Sequence, residues 1–86
     1  MFSTYILYSA KTQKYYVGQT EALSDRIQRH NDGESKSTKA GVPWELIWEF
    51  QHKTRGEAIL LENKIKKRGA KRFLEDNTIR GVAQPG

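Results

Sequence analysis

The sequence predicts an α/β chain of the α+β kind: a small three-stranded sheet, antiparallel or mixed, flanked by helices in the order ββαβα(α). Three observations carry that expectation. Two short tyrosine-rich runs, Tyr5-Ile6-Leu7-Tyr8 and Tyr15-Tyr16-Val17-Gly18, stand close together at the start of the chain. A bulky run, WELIWEFQ, follows near the middle. Between and after these runs, apolar residues recur at helical rather than strand spacing.

The first strand is expected over Thr4–Ser9, where β-branched and aromatic residues alternate Tyr5/Leu7 against Ile6/Tyr8. Ala10–Lys14 is short and polar, as a hairpin connection would be, although it lacks an Asn-Gly pair. Tyr15–Gly18 reads as the returning strand, with Tyr15 and Val17 on one face and Tyr16 and Gly18 on the other. Glycine beside Tyr16 leaves room for a ligand backbone or marks a bulge. Thr20–Asn31 reads as a helix whose Leu23 and Ile27 face the core, and Asn31-Asp32-Gly33 stops it. Glu34–Gly41 is polar and reads as a loop, and Pro43 keeps Val42 extended. Trp44–Gln51 is the third strand. Thr54 with Glu57 three residues on forms a capping box that opens a second helix, with Ala58, Leu61 and Ile65 as its buried stripe and Gly69 as its end. Lys71–Asn77 forms a short last helix with Phe73 and Leu74 inward. Arg80–Gly86 has little to bury. The expectation is one domain over residues 1–79 with a flexible tail over 80–86.

Eighty-six residues make a single domain with a modest core. The absence of cysteine excludes disulfides and thiolate metal sites. No apolar run reaches membrane-spanning length, and the start lacks a basic-then-apolar secretory pattern. A soluble, cytoplasmic protein with no membrane association is expected. The net charge is +5 and is concentrated. Residues 53–72 hold eight Lys or Arg against Glu57 and Glu62, a local charge of +6, so the rest of the chain sums to −1. A stripe of that kind is the footprint of a polyanion binder, although a solubilising helix face is the commoner explanation of any one lysine-rich helix.

Among residues able to carry chemistry, Arg26 and His30 lie one helical turn apart and project from the same face. A guanidinium can brace a phosphate with two parallel hydrogen bonds, and a neutral imidazole can accept a proton or hold a water. On spacing alone a solvated helix face, with Asp25 pairing Arg29, is the simpler account. Glu62 falls at the edge of the Ala58/Leu61/Ile65 stripe. A lone carboxylate there could hold Mg²⁺ together with water and a substrate phosphate, or pair with Lys66 four residues on. Tyr5 and Tyr16 could be ordinary sheet aromatics. Trp44 and Trp48 read as core, and His52 reads as solvent-facing after its strand. There is no Walker loop, zinc pattern or nucleophile-elbow serine.

In order, Tyr5-Ile6-Leu7, Tyr16-Val17-Gly18, Arg26-x-x-x-His30-Asn31, Thr38-Lys39…Pro43-Trp44, Glu57-Ala58 and Glu62 resemble the GIY-YIG nuclease family. The likeness is strongest to its small single-domain branch, and extends to the N-terminal nuclease module of the bacterial excision-repair incision subunit. It runs from about Thr4 to about Leu74. Each piece alone is weak, while the ordered set is specific. The resemblance implies Mg²⁺-dependent (or Mn²⁺-dependent) hydrolysis of a DNA phosphodiester in repair or recombination, on branched or damaged DNA among other forms. It implies Glu62 as the metal ligand, Arg26 on the scissile phosphate, and Tyr16 on the attacking water with Tyr5 beside it. His30 would assist the base or the phosphate. Lys39, Lys64, Lys66, Lys67, Arg68, Lys71 and Arg72 are then the expected DNA contacts, with a protein partner as a further source of targeting. Two positions depart from the family pattern. Ser3-Thr4 precede Tyr5 where a glycine is usual, and Gln19 stands where many members have lysine. They keep a second reading open: a nucleic-acid-binding module that does not cleave, or cleaves only with a partner.

Overall fold

The computed structural model of the protein describes residues 1–78, and the predicted tail over 80–86 lies outside them. Strand β1 (Phe2–Ser9) runs down the middle of a three-stranded sheet, with β2 (Lys14–Thr20) on one side and β3 (Trp44–His52) on the other. Both pairings are antiparallel, so the sheet is antiparallel throughout. The central strand is buried on both faces, which explains its unbroken β-branched and aromatic content. Its polar residues are satisfied. Thr4 Oγ1 donates to the Ala58 carbonyl at 3.0 Å, and Ser9 Oγ accepts from the Thr12 amide at 3.1 Å. The hairpin has no Asn-Gly pair because its left-handed position is taken by Gln13, at φ 58°. Ser3 sits in regular pairing with Thr20 and Gln51, so that position places no conformational demand for glycine.

The order ββαβαα is as expected, and the boundaries differ for local reasons. Helix α1 (Leu23–Asn31) starts three residues after the predicted Thr20. Thr20 still pairs with Ser3 in the sheet, and its hydroxyl accepts from the Ala22 amide at 3.1 Å, which turns the chain before the helix can begin. The loop Glu34–Gly41 contains a single helical turn, α2 (Lys36–Lys39). β3 carries a bulge: Ile6 pairs with Trp48 and Leu7 with Leu46, leaving Ile47 as the extra residue. His52 was expected to face solvent. Instead it is the last residue of β3, half-buried, with Nε2 3.0 Å from Thr4 Oγ1. Helix α3 (Arg55–Arg68) opens on Thr54, whose hydroxyl accepts from the Glu57 amide at 3.2 Å. Gly69, at φ 98°, ends α3, and α4 (Ala70–Thr78) follows at once.

Two apolar layers result. On one face Ile6 and Val17 pack with Ile65 of α3 and Phe73 of α4. On the other, Tyr5, Leu7 and Trp44 pack with Leu23 and Ile27 of α1. Trp48 sits edge-on to Phe73 in the first layer, a core role as its sequence position implied. No helix of the described residues is long and apolar enough to cross a membrane.

Candidate active site

The register of the hairpin builds the centre of the α1 face. Tyr5 pairs with Gly18 and Leu7 with Tyr16, so both phenols emerge on the same side as α1. Gly18 is where a close approach demands the absence of a side chain. A Cβ there would lie 2.6 Å from the Tyr5 hydroxyl and 3.2 Å from the Tyr16 ring. Its backbone φ is not positive, so space and not conformation selects the glycine.

His30 arrives from the last turn of α1 and is 5 % exposed. Its ring lies 4.7 Å from that of Tyr16 and 6.4 Å from that of Tyr5, centre to centre, with Nε2 3.4 Å from the Tyr5 hydroxyl. Arg26, one turn earlier and exposed, brings its guanidinium charge near the same hydroxyl. Burial above all, then the neighbouring Tyr16, hold the Tyr5 phenol well above its usual range. Arg26 pulls the other way without prevailing, and Glu62 adds to the rise. Tyr5 is therefore a fully buried phenol that keeps its proton at neutral pH. Burial and the adjacent Arg26 push His30 below its ordinary value, so its imidazole is neutral at pH 7.

Tyr16, Arg26, Arg29, His30, Glu34 and Ser35 line a cleft of ≈ 370 Å³. Arg29 pairs with Asp25 at 3.2 Å, as its spacing suggested, whereas among the described residues no acid pairs with Arg26 in this way. Tyr16 also borders a second cleft of ≈ 550 Å³ that runs along β2 to Lys14, Lys66 and Ala70. The structure thus brings Tyr5, Tyr16, Arg26 and His30 together. Glu62 comes from the helix of the other layer. Its charge reaches Tyr5 only as the weakest of the influences on that phenol, and its own carboxylate is paired to Lys66 at 2.7 Å. Its side chain is 17 % exposed, at the rim of the core where its place on the helix put it.

The expected DNA contacts divide. Lys66 and Lys64 lie roughly 160° apart around α3. Lys66 faces the wall shared with Tyr16, while Lys64, Lys67, Arg68 and Arg72 line a separate cleft of ≈ 460 Å³. Arg68 is held there by two bonds to Asp76, at 2.8 and 3.1 Å. Lys39 lies against Gly33 at the far end of α2, and Lys71 is exposed on α4. At position 19, the Gln19 amide accepts from Arg55 at 3.2 Å, so a guanidinium stands beside the residue that replaces lysine.

Some supporting residues were not legible from composition. Asn31 brackets the backbone of Trp44, accepting from its amide and donating to its carbonyl. The buried Trp44 indole donates to the Thr38 carbonyl at 2.8 Å, and the Thr38 hydroxyl lies 3.1 Å from His30 Nδ1. The signal was present only in the His30-Asn31 and Thr38…Trp44 strings of the resemblance.

That geometry accompanies a match to known proteins. The family profile described as GIY-YIG catalytic domain matches residues 1–75. The chain belongs to the GIY-YIG family. This is a family of nucleases, and the GIY-YIG chain is similar to two further small proteins. It is 40% identical over 58 residues to "UPF0213 protein YazA" of Bacillus subtilis, which covers 66% of this chain and 59% of that protein. It is 30% identical over 82 residues to a UPF0213 protein of Bacillus licheniformis, covering 91% of this chain and 84% of the relative. The match thus spans little more than half the length of the first relative. No solved structure matches the chain.

A divalent ion is implied by the family. Among the described residues no three His, Cys, Asp or Glu gather as a dedicated metal cage. The carboxylate expected to hold it, Glu62, is a single one and is paired with Lys66. It fits a hard ion that keeps much of its water and takes the rest of its ligands from a substrate phosphate. It does not fit an ion that needs a full set of protein ligands.

Proposed function

We propose that this GIY-YIG domain hydrolyses DNA phosphodiesters with the help of Mg²⁺ or Mn²⁺. The observation that carries the reading is Arg26. It is exposed at the cleft, near the buried Tyr5 hydroxyl, and lines that cleft with Tyr16 and His30. A guanidinium so placed offers its N–H groups to non-bridging phosphate oxygens. Those bonds strengthen as attack by water loads charge onto the same oxygens. Water adds to phosphorus, the bond to the leaving sugar oxygen breaks, and that oxygen takes a proton. Tyr16 stands half-exposed at the mouth, where its hydroxyl orients the attacking water. A neutral phenol is a poor base, so its first task is placement. His30 offers a neutral nitrogen behind it. Tyr5, sealed from solvent, acts on Arg26 and His30 and not on water. Glu62 would hold the metal, which when bound supplies Lewis-acid stabilisation of the leaving oxygen. The Lys66 pair is half-exposed on the lysine side and worth at most about 1 kcal/mol, so it yields readily to a divalent ion.

The test is nicking of supercoiled, single-stranded and branched DNA with and without divalent metal. Activity should vanish with EDTA, return with Mg²⁺ or Mn²⁺, and fall at least about 100-fold in Glu62→Gln. Cleavage indifferent to EDTA and to this substitution would belong to a contaminant. We place the activity in the cytoplasm, on repair or recombination intermediates, with a protein partner or the basic surface choosing the site.

The separate Lys64/Lys67/Arg68/Arg72 cleft favours a second reading, in which binding rather than cleavage dominates. Either way, replacing Lys64, Lys67 and Arg72 with glutamine should flatten the salt dependence of duplex binding. The slope of log K against log salt should become less negative by roughly 2 to 3, about 0.9 for each phosphate that is no longer neutralised. An unchanged slope in a fluorescence-anisotropy titration would remove these residues from the interface.

A further inference from the structure

We propose that Thr38 is a positioning residue: its hydroxyl fixes His30 in the Nδ1–H tautomer, so that a bare Nε2 faces the Tyr5 hydroxyl and leaves the Tyr5 oxygen turned toward Arg26. One buried chain of hydrogen bonds runs from Tyr5 to Thr38. Among the hydrogen bonds of the described residues, the acceptor within reach of the buried Tyr5 proton is His30 Nε2 at 3.4 Å, so Nε2 is a bare lone pair. The imidazole proton then sits on Nδ1, and the Thr38 hydroxyl oxygen, 3.1 Å away, accepts it. The Thr38 proton is left for the Ser35 carbonyl at 3.5 Å. Tyr5, having donated, leaves its oxygen lone pairs toward the nearby guanidinium of Arg26, which can only donate.

The opposite tautomer does not close. Nε2–H would donate to the Tyr5 oxygen. The Tyr5 proton would then need another acceptor, and among the hydrogen bonds of the described residues His30 Nε2 is the one within reach. Tyr5 is 0 % exposed, Thr38 3 % and His30 5 %, so water is not there to absorb the mismatch. The scaffold around Thr38 is correspondingly tight. Its carbonyl accepts from both the Trp44 indole at 2.8 Å and the Gly41 amide at 3.1 Å. Asn31, next in sequence to His30, holds the Trp44 backbone and closes the ring. A Cβ on Gly41 would run into the Trp44 indole, so this loop admits little adjustment.

The other histidine supplies an internal contrast. Thr4 Oγ1 donates to the Ala58 carbonyl at 3.0 Å, so it must accept from His52 Nε2, also at 3.0 Å. By the same reasoning His52 is the Nε2–H tautomer. The two histidines of this chain are opposite tautomers, each set by a threonine.

Only the effect on cleavage rests on the nuclease reading; the tautomer does not. Long-range nitrogen–proton correlation spectra of the imidazoles at neutral pH decide the tautomer in the intact protein. Wild type should show His30 as Nδ1–H and His52 as Nε2–H. Thr38→Val should turn His30 into a mixture or into Nε2–H while His52 stays as it was, and Thr38→Ser should restore the wild-type pattern. In the cleavage assay Thr38→Val should lose roughly tenfold or more in kcat, with KM within about twofold, and Thr38→Ser should recover it. Should valine unfold the protein, Thr38→Ala removes the hydroxyl without adding bulk. Wild-type His30 found as Nε2–H, or an unchanged Nδ1–H signal in a folded variant lacking the hydroxyl, overturns the proposal. A tautomer that moves in a protein with no nuclease activity would sink the nuclease reading alone.

Discussion

Arg26→Ala should lower kcat for DNA cleavage by about 10²–10³-fold, or about 2.7–4 kcal/mol of transition-state stabilisation, while the thermal midpoint barely moves. The side chain is exposed, so little packing is lost with it. What disappears is a donor array that lines the cleft. Because the bonds to phosphate gain strength as charge builds, KM should change far less than kcat. Arg26→Lys should recover little. An ammonium cannot meet two phosphate oxygens with one planar fork. Combined with Glu62→Gln, the loss should be well short of the sum of the separate losses, since the two groups serve one reacting phosphate. Single-turnover cleavage measured beside a melting curve checks all of this. A melting point lowered in step with activity would mean that Arg26 matters only to the fold.

How much of this was readable beforehand depends on the range of the interaction that decides each feature. The elements followed from local pattern: alternation gave the strands, spacing gave α1 and α3, and Thr54 announced the start of α3. Boundaries failed where a neighbour intervened. Thr20 belongs to the sheet because Ser3 pairs with it, and no window of sequence around Thr20 contains Ser3. His52 looked solvent-facing because its partner, Thr4, lies 48 residues away. The Arg26/His30 pair was visible as helical spacing, but its meaning was not. Nothing local says that Arg26 will be exposed and His30 buried. That split arises because Tyr5 and Tyr16 take the space over His30, and their register depends on the hairpin. Glu62 shows the same limit in reverse. Its position at the edge of a stripe was plain, whereas its approach to a site on the opposite face of the sheet depends on how α3 lies across β2. The basic stripe was overread as one surface. Residues 64–72 are contiguous in sequence, but helical rotation and the break at Gly69 send Lys66 one way and Lys64, Lys67, Arg68 and Arg72 another.

Gly18→Ala should cost about 1–3 kcal/mol of stability and impair cleavage beyond what partial unfolding explains. The added methyl would stand 2.6 Å from the Tyr5 hydroxyl oxygen and 2.8 Å from Cζ, inside van der Waals contact on both. Tyr5 cannot retreat without disturbing its neighbours. Its ring is fully buried, with Tyr16 at 6.2 Å and His30 at 6.4 Å. Any displacement moves the oxygen that meets His30 and lies near Arg26, so a steric fault at the back of the site becomes a positional fault at the front. At roughly 4–8 °C for each kcal/mol in a domain of this size, the melting point should drop far enough to measure easily. Two controls separate this account from a general dislike of alanine. Gly56→Ala, in the first turn of α3, would meet only Thr54 Oγ1 at 4.0 Å and should raise stability by up to about 1 kcal/mol through helix propensity. Tyr5→Phe removes the nearest clashing atom but not Cζ. Paired with Gly18→Ala, it should show a favourable coupling and recover part of the lost stability while recovering no activity. Equal losses in the single and double variants would mean that the alanine acts somewhere other than on Tyr5.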